Sequence, residues 1–308
     1  MPDFQLKTPV AFIIFNRPDT TERVFAEIAK ARPPKLLVVG DGARANREGE
    51  AAKVAATRAI IERVDWPCEV LTNFSEVNLG CKVRVSSGLD WVFEQAPEAI
   101  ILEDDCLPHS TFFRFCQELL ERYRDDQRVG MISGDNFQFG RKRTADSYYF
   151  SKYTHIWGWA SWRRAWKHYD VDATIWPVFR DGGWLVNHTY NQNEKKYWSN
   201  IFQSVYDEKI DTWDYQWTLA TWSQGVLSVT PNVNLISNIG FGVDATHTQG
   251  ASALANMKYE DMVFPLRHPK IFSAEHGADS FTAQTIFCPS IVARITNKLK
   301  KIILNRKV

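Results

Sequence analysis

Three consecutive acids, Glu103-Asp104-Asp105, close the short apolar run Ile100-Ile101-Leu102. Carboxylate oxygens are hard ligands, and delivering them on a rigid strand end suits a divalent cation such as Mn2+ or Mg2+. A cation held there would bridge the oxygens of a diphosphate and neutralise its charge as it leaves. Taken alone, an acidic triplet after a strand is more often a helix cap or a solvated turn, and Pro108 with the helix beyond it allows that reading. A further acid, Asp214, stands between Trp213 and Trp217. Partial desolvation there would raise its basicity toward that of a general base for a hydroxyl group, although Asp214 equally suits the cap of the helix that follows.

The elements that must position these acids alternate in type. Val10 to Phe15 is a β-branched and aromatic run ending at Asn16-Arg17-Pro18, and Asp19 with Glu22 resembles a capping box opening a helix through Lys30. Strands follow at Lys35–Val39, Glu69–Thr72, Ala99–Leu102 and Val129–Ser133. Between them lie helical stretches at about 45–64, 82–95 and 110–124, the last capped by Ser110. Such alternation predicts a doubly wound sheet with its ligands beyond the carboxyl ends of the strands. Four strands end there in polar signals: Arg17, Asp41 within Gly40-Asp41-Gly42, Glu103 to Asp105, and Asp135. That convergence raises the acidic triplet above a bare turn. Beyond Lys152 the pattern predicts a mostly helical, aromatic stretch from His155 to Trp166. Helices near 194–206 and 215–223 and strands near 226–229 and 233–236 come next, then a polar, glycine-containing loop over 238–252.

Bulk composition narrows the class. With 308 residues, 44% hydrophobic and 24% charged, the chain can bury a large core. A net charge of +1 provides no general attraction to nucleic acid. Five cysteines without a CxxC pair argue for free thiols. Met1 to Lys7 lacks an apolar signal region and no run reaches membrane-spanning length, so a cytoplasmic location is expected. Ten of twelve tryptophans fall between Trp157 and Trp222, which fits either a ring-filled core or rings that stack on sugar faces. Over 290–308, apolar residues at helical spacing alternate with lysines and arginines. This segment suits a surface helix, or an interfacial helix on an anionic membrane at the inner face of the cell membrane. No GxGxxG follows the first strand, and neither a P-loop nor a GxSxG elbow is present.

On these residues the chain resembles GT-A-fold glycosyltransferases, in particular the N-acetylglucosaminyltransferase I-like or family 2-like group. The first strand ending in Asn16-Arg17, the Gly40-Asp41-Gly42 strand end, and Glu103-Asp104-Asp105 followed by Pro108 and Phe112-Phe113 carry the resemblance. Gly158-Trp159, Trp213-Asp214-Tyr215-Gln216-Trp217 and Gly240-Phe241-Gly242-Val243 extend it more loosely, over roughly residues 8–250. It implies a GT-A-like doubly wound mixed sheet, a Rossmann-like nucleotide-binding half joined to an acceptor half. Residues 1–250 would form that domain, and 251–308 a C-terminal extension with the basic amphipathic helix. Arg17 and Asp41 would contact the nucleotide, Glu103 the ribose, Asp104 the donor sugar and Asp105 the metal, while Trp159 would line the sugar site. Asp214 would be the base of an inverting transfer; the family segment carries two adjacent acids where this chain has Asp214 and then Tyr215. Arg84 could steady phosphate, and His247 could complete the metal shell, as a late histidine does in some relatives. The implied reaction moves a hexosyl or N-acetylhexosaminyl group from a UDP-sugar to a glycan or lipid-linked acceptor. Two other readings share some of these features: a sugar nucleotidyltransferase, and a non-enzymatic carbohydrate-binding or membrane-associated protein.

Overall fold

The structure, a computed structural model, describes residues 4–241 and 253–289. Its first half alternates strand and helix: β1 (Val10–Ile14), α1 (Pro18–Ala31), β2 (Lys35–Gly40), α2 (Glu50–Ala59), β3 (Glu69–Phe74), α3 (Gly80–Gln95) and β4 (Glu98–Glu103). Then come a short β5 (Cys106–Pro108), α4 (Ser110–Arg122), β6 (Val129–Ser133), β7 (Tyr148–Ser151) and β8 (Trp159–Trp162). The second half is mainly helical, with α5 (Arg163–Trp166), α6 (Trp176–Asp181), α7 (Gln192–Tyr206) and α8 (Asp214–Ser223). It ends with β9 (Leu227–Pro231), β10 (Ile236–Asn238) and α9 (His276–Thr282).

Eight strands form one mixed sheet in the order β3-β2-β1-β4-β8-β6-β9-β7. β3, β2, β1 and β4 are parallel neighbours, β6 and β9 likewise, while β8 runs antiparallel between β4 and β6. Every residue of β1 is buried, because both faces of the sheet are covered. Val10, Phe12 and Ile14 join one core with Val24 and Ile28 of α1 and Phe112 and Leu119 of α4. Ala11 and Ile13 join the opposite core with Val85, Leu89 and Val92 of α3. This two-faced alternation realises the doubly wound, mixed α/β sheet expected from the sequence. Gly88 lets α3 lie close on the sheet, since a Cβ there would stand 2.4 Å from Val39 Cγ1.

Three local expectations are corrected. The stretch His155–Trp166 is not mostly helical: only Arg163–Trp166 is helix, while Trp159–Trp162 is β8, which pairs with β4 and β6 on both sides, and tertiary pairing outweighs local pattern. Helix α1 begins at Pro18 after Arg17, and Glu22 bonds Arg63 instead of closing a capping box. At α4 the cap is His109, whose ring nitrogen accepts from the Thr111 amide, rather than Ser110.

The tryptophans are mostly core. Trp159, Trp166, Trp213 and Trp217 pack together under the sheet, and Trp176, Trp198 and Trp222 form a third core with α7 and α8. Of the expected extension, residues 253–289 pack on the main body: Met262 and Leu266 enter the first core and Ala283 the third. The basic segment 290–308 lies outside the described residues. Among the described residues no helix is long and apolar enough to cross a membrane.

A buried polar network fastens α9. Glu194 is fully buried and accepts from Lys152 Nζ at 2.7 Å, from the Tyr153 hydroxyl, and from the Tyr190 amide at 2.7 Å. Asp279 accepts from Ser151 Oγ at 2.6 Å and from Tyr190 OH at 3.2 Å. Removing one partner of a buried pair strands the other charge. Lys152→Met is therefore expected to lower unfolding free energy in urea by about 3–5 kcal/mol; an unchanged midpoint would count against the latch. Burial pushes the Asp279 carboxyl up to about 6, so the fold favours its protonated form. Stability from this group is present below the ordinary carboxylate pKa and is lost as pH rises through 6. Relative to Asp279→Asn, the wild type should lose on the order of 2–3 kcal/mol between pH 4 and 7, measured by urea unfolding at each pH.

Candidate functional site

The parallel strands β1, β2 and β4 end at one edge, which gathers the charged residues that follow them. Phe15, the residue after β1, donates its amide to Asp104 Oδ2 at 3.1 Å. Two residues on, Arg17 spreads its guanidinium across both aspartates, Nη2 to Asp104 Oδ1 at 2.5 Å and Nη1 to Asp105 Oδ2 at 2.9 Å. Asp104 is buried with both oxygens engaged, whereas Asp105 keeps 14% of its side chain exposed. From the opposite direction, the backbone after β10 closes in, with Ile239 N donating to Asp105 O at 2.8 Å. Gly240 follows, and a Cβ at that position would stand 2.1 Å from Asp105 Oδ2 and 2.6 Å from Arg17 Nη1. The glycine therefore leaves the carboxylate room that any side chain would fill.

The charges reshape one another. Burial works against the charge of Arg17, but Asp104 and Asp105 outweigh it and hold the guanidinium proton more tightly than usual. Burial, then Asp105 and Asp104, push the Glu103 carboxyl above the ordinary carboxylate range, and Asp214 adds to the push. Burial also raises Asp104, against the pull of Arg17. Asp214 opens α8 and accepts from the Thr212 hydroxyl; its field reaches Glu103 and Cys81. The Cys81 thiol, in the first turn of α3, is pushed up by burial and then by Glu103, Asp214, Asp211 and Asp41. Acids from three segments thus surround that turn. The fold brings Arg17, Glu103, Asp104, Asp105 and Asp214 into one neighbourhood.

Three other expected residues are placed differently. Asp41 is buried, and its two oxygens accept four hydrogen bonds. Gly42 N and Leu79 N bind Oδ1 at 2.8 and 2.9 Å, and Asn78 Nδ2 and Gly80 N bind Oδ2 at 2.9 and 3.1 Å. A carboxylate offers about four such positions, so Asp41 is saturated as an anchor for the start of α3. Arg84 is buried and donates to Asn73 O and Oδ1 at 2.6 and 2.9 Å, which ties α3 to β3. Trp159 is fully buried, stacked on Trp213 at 5.8 Å with a 22° tilt. The ring that sequence reasoning missed is Trp157, half-buried two residues before β8 and edge-on to Phe241 at 5.7 Å. Strand alternation gave no signal for it, because it would put positions 157 and 159 on one face; Trp157 lies ahead of β8, across Gly158 at φ 62°, and packs against the first core instead of the second. His155 is packed edge-on to Phe137, and burial lowers it to about 4. His247, Gly242 and Val243 lie outside the described residues.

Among the described residues no group of three or more His, Cys, Asp or Glu side chains is arranged to hold a metal ion. The donor set still fits a hard divalent cation of the kind that binds through one or two carboxylates and completes its shell from phosphates and water. Asp105, partly exposed beside Gly240, is the carboxylate that meets that description. A separate cleft of about 820 Å³ opens at the opposite edge, where β1 and β4 begin. Its Glu98 and Glu121 are paired with Arg124, and none of the residues described above lines it.

No protein-family model and no curated protein matches this chain. Among solved structures it is similar to the crystal structure of S. aureus TarS 1-349, at 12% identity and a TM-score of 0.40. The match covers 73% of this chain and 58% of that one, so the chain spans a little over half the length of that structure.

The Asp41 anchor can be tested separately from any ligand. Asp41→Ala strips four donors of their acceptor and should cost about 1–3 kcal/mol in urea unfolding. A variant as stable as wild type would mean that the start of α3 is held by other contacts.

Proposed function

We propose that the chain is a metal-dependent glycosyltransferase that moves a hexosyl or N-acetylhexosaminyl group from a nucleotide sugar, in the first instance a UDP-sugar, to a glycan or lipid-linked acceptor. The observation that supports it most directly is the meeting of Arg17 and Glu103–Asp105 at the carboxyl edge of β1 and β4, with Asp214 close enough to act on Glu103. Ligands of open α/β sheets bind at that edge. Mn2+ or Mg2+, when bound at Asp105 together with the donor's phosphates, supplies charge neutralisation for the departing diphosphate.

The chain's own groups do the rest. Arg17 offers a planar fork that matches phosphate oxygens. Glu103, held toward its neutral form, can donate a hydrogen bond to a donor hydroxyl as well as accept one. Asp104 keeps Arg17 and the end of β1 in register, a role that replaces the sugar contact expected from the sequence. Asp214 accepts the proton of the acceptor hydroxyl as it attacks, which makes the transfer inverting. Trp157 and Phe241 provide apolar surface for a sugar face in place of the buried Trp159. The basic segment 290–308 would hold the enzyme against anionic lipid near a lipid-linked acceptor.

A thermal-shift screen of nucleotide sugars with and without Mn2+ tests the class. Stabilisation by UDP-sugars only when Mn2+ is present is expected, and it should vanish in Asp105→Ala. A shift from nucleoside triphosphates with sugar phosphates would favour the nucleotidyltransferase instead, and no shift from any nucleotide would overturn both. Asp214→Asn should bind donor as wild type does but lose about 10²–10⁴-fold in transfer rate. An unimpaired rate would remove Asp214 from the base role.

A further inference from the structure

Arg17 sits where a second cation would have to work. Its Nη1 lies 2.9 Å from Asp105 Oδ2, while Cys106 Sγ lies 3.5 Å from Oδ1. Gly240 backs the pair so closely that an added Cβ would meet Asp105 Oδ2 and Arg17 Nη1 together. A divalent ion approaching Asp105 therefore meets a fixed positive charge already bonded to its best protein ligand. Like charges at such separations repel strongly where water is largely excluded. Few protein ligands stand by to compensate, since no group of three or more candidate side chains is assembled among the described residues.

The other half of the contact points to the release mechanism. Asp104 is tied to the backbone through Phe15 N, so Arg17 can leave Asp105 while Nη2 stays bonded to Asp104. A nucleoside diphosphate brings several anionic oxygens in the geometry a guanidinium fork prefers. It offers Arg17 a replacement partner and the cation its missing ligands at the same time.

We infer that Arg17 is the resident counter-ion of the Asp104–Asp105 pair and competes with the divalent cation for Asp105, so that the cation binds tightly only when a nucleoside diphosphate draws the guanidinium away. This rests on the donor site proposed above. It adds to that proposal a prediction about the free protein, in which the arginine excludes the metal.

Calorimetric titration of MnCl2 into the full chain, with and without UDP, provides the test. In the wild type, UDP should tighten Mn2+ binding by at least about tenfold, within the usual range of coupling between two ligands. Arg17→Gln should bind Mn2+ alone at least about tenfold more tightly than wild type and gain little from UDP, whereas Arg17→Lys, which keeps the charge, should stay close to wild type. Circular dichroism of each variant confirms that it is folded. Where UDP itself binds, Mn2+ binding to the wild type that is equally tight with and without it overturns the inference, as does a folded Arg17→Gln that binds Mn2+ no better. Failure of UDP to bind any form overturns the donor-site proposal instead. In that case, tighter Mn2+ binding by Arg17→Gln would still support competition at Asp105.

Discussion

A single guanidinium holds the carboxyl edge of this protein together. Glu103, Asp104 and Asp105 follow one another at the end of β4, and three neighbouring carboxylates in a partly dry setting repel one another. Arg17 answers two of them through its fork, while the third moves toward its neutral form. The arginine can do this because β1 and β4 are adjacent parallel strands in fixed register, with Ile13 opposite Glu103. Remove the pairing and the arginine has no fixed relation to the acids. The sheet thus provides the site's geometry, and the site's charge is tolerable only because of the sheet.

A second constraint comes from the aromatic content. Tryptophans at the density seen here are costly to leave in water, and the fold hides most of them in two ring clusters that join the sheet to the helical half. Trp213 and Trp217 belong to one of these clusters and flank Asp214 in the chain. The candidate base therefore rides on a well-packed element, with Thr212 and the start of α8 setting its position. Lys152, Glu194 and Asp279 extend the same rigidity to residues 276–289, which belong to the body of the protein although their sequence carries no strong apolar period.

Much of this was legible in the sequence because β1, β2, β3, β4 and β6 are short runs ending in turn or charge signals. Their doubly buried character shows as β-branched continuity in Val10–Ile14 and Lys35–Val39, and of the polar residues at their ends Arg17 meets Asp104 and Asp105. Legibility failed where tertiary partners decide. Nothing local marks Trp159-Ala160-Ser161-Trp162 as a strand, since its pairing partners lie about sixty and thirty residues away. Asp41 and Arg84 have the right chemistry for a nucleotide, but whether a charge faces a ligand or a helix end depends on what packs beside it. Asp41 found four amide donors, and Arg84 found Asn73.

The antiparallel course of β8 carries one more implication. Because β8 is reversed, the beginning of this strand meets the carboxyl edge, and the residues just ahead of it are delivered there without any long loop. Ile101 is paired with Trp159, so register alone decides which indole enters the core and which stays near the edge. A slip of one residue would exchange the faces of the whole strand. Position 157 is free of that pairing. Its ring packs on Phe137 and Phe241 ahead of the strand, so a change of side chain there would disturb those two contacts while the β8 ladder stays locked.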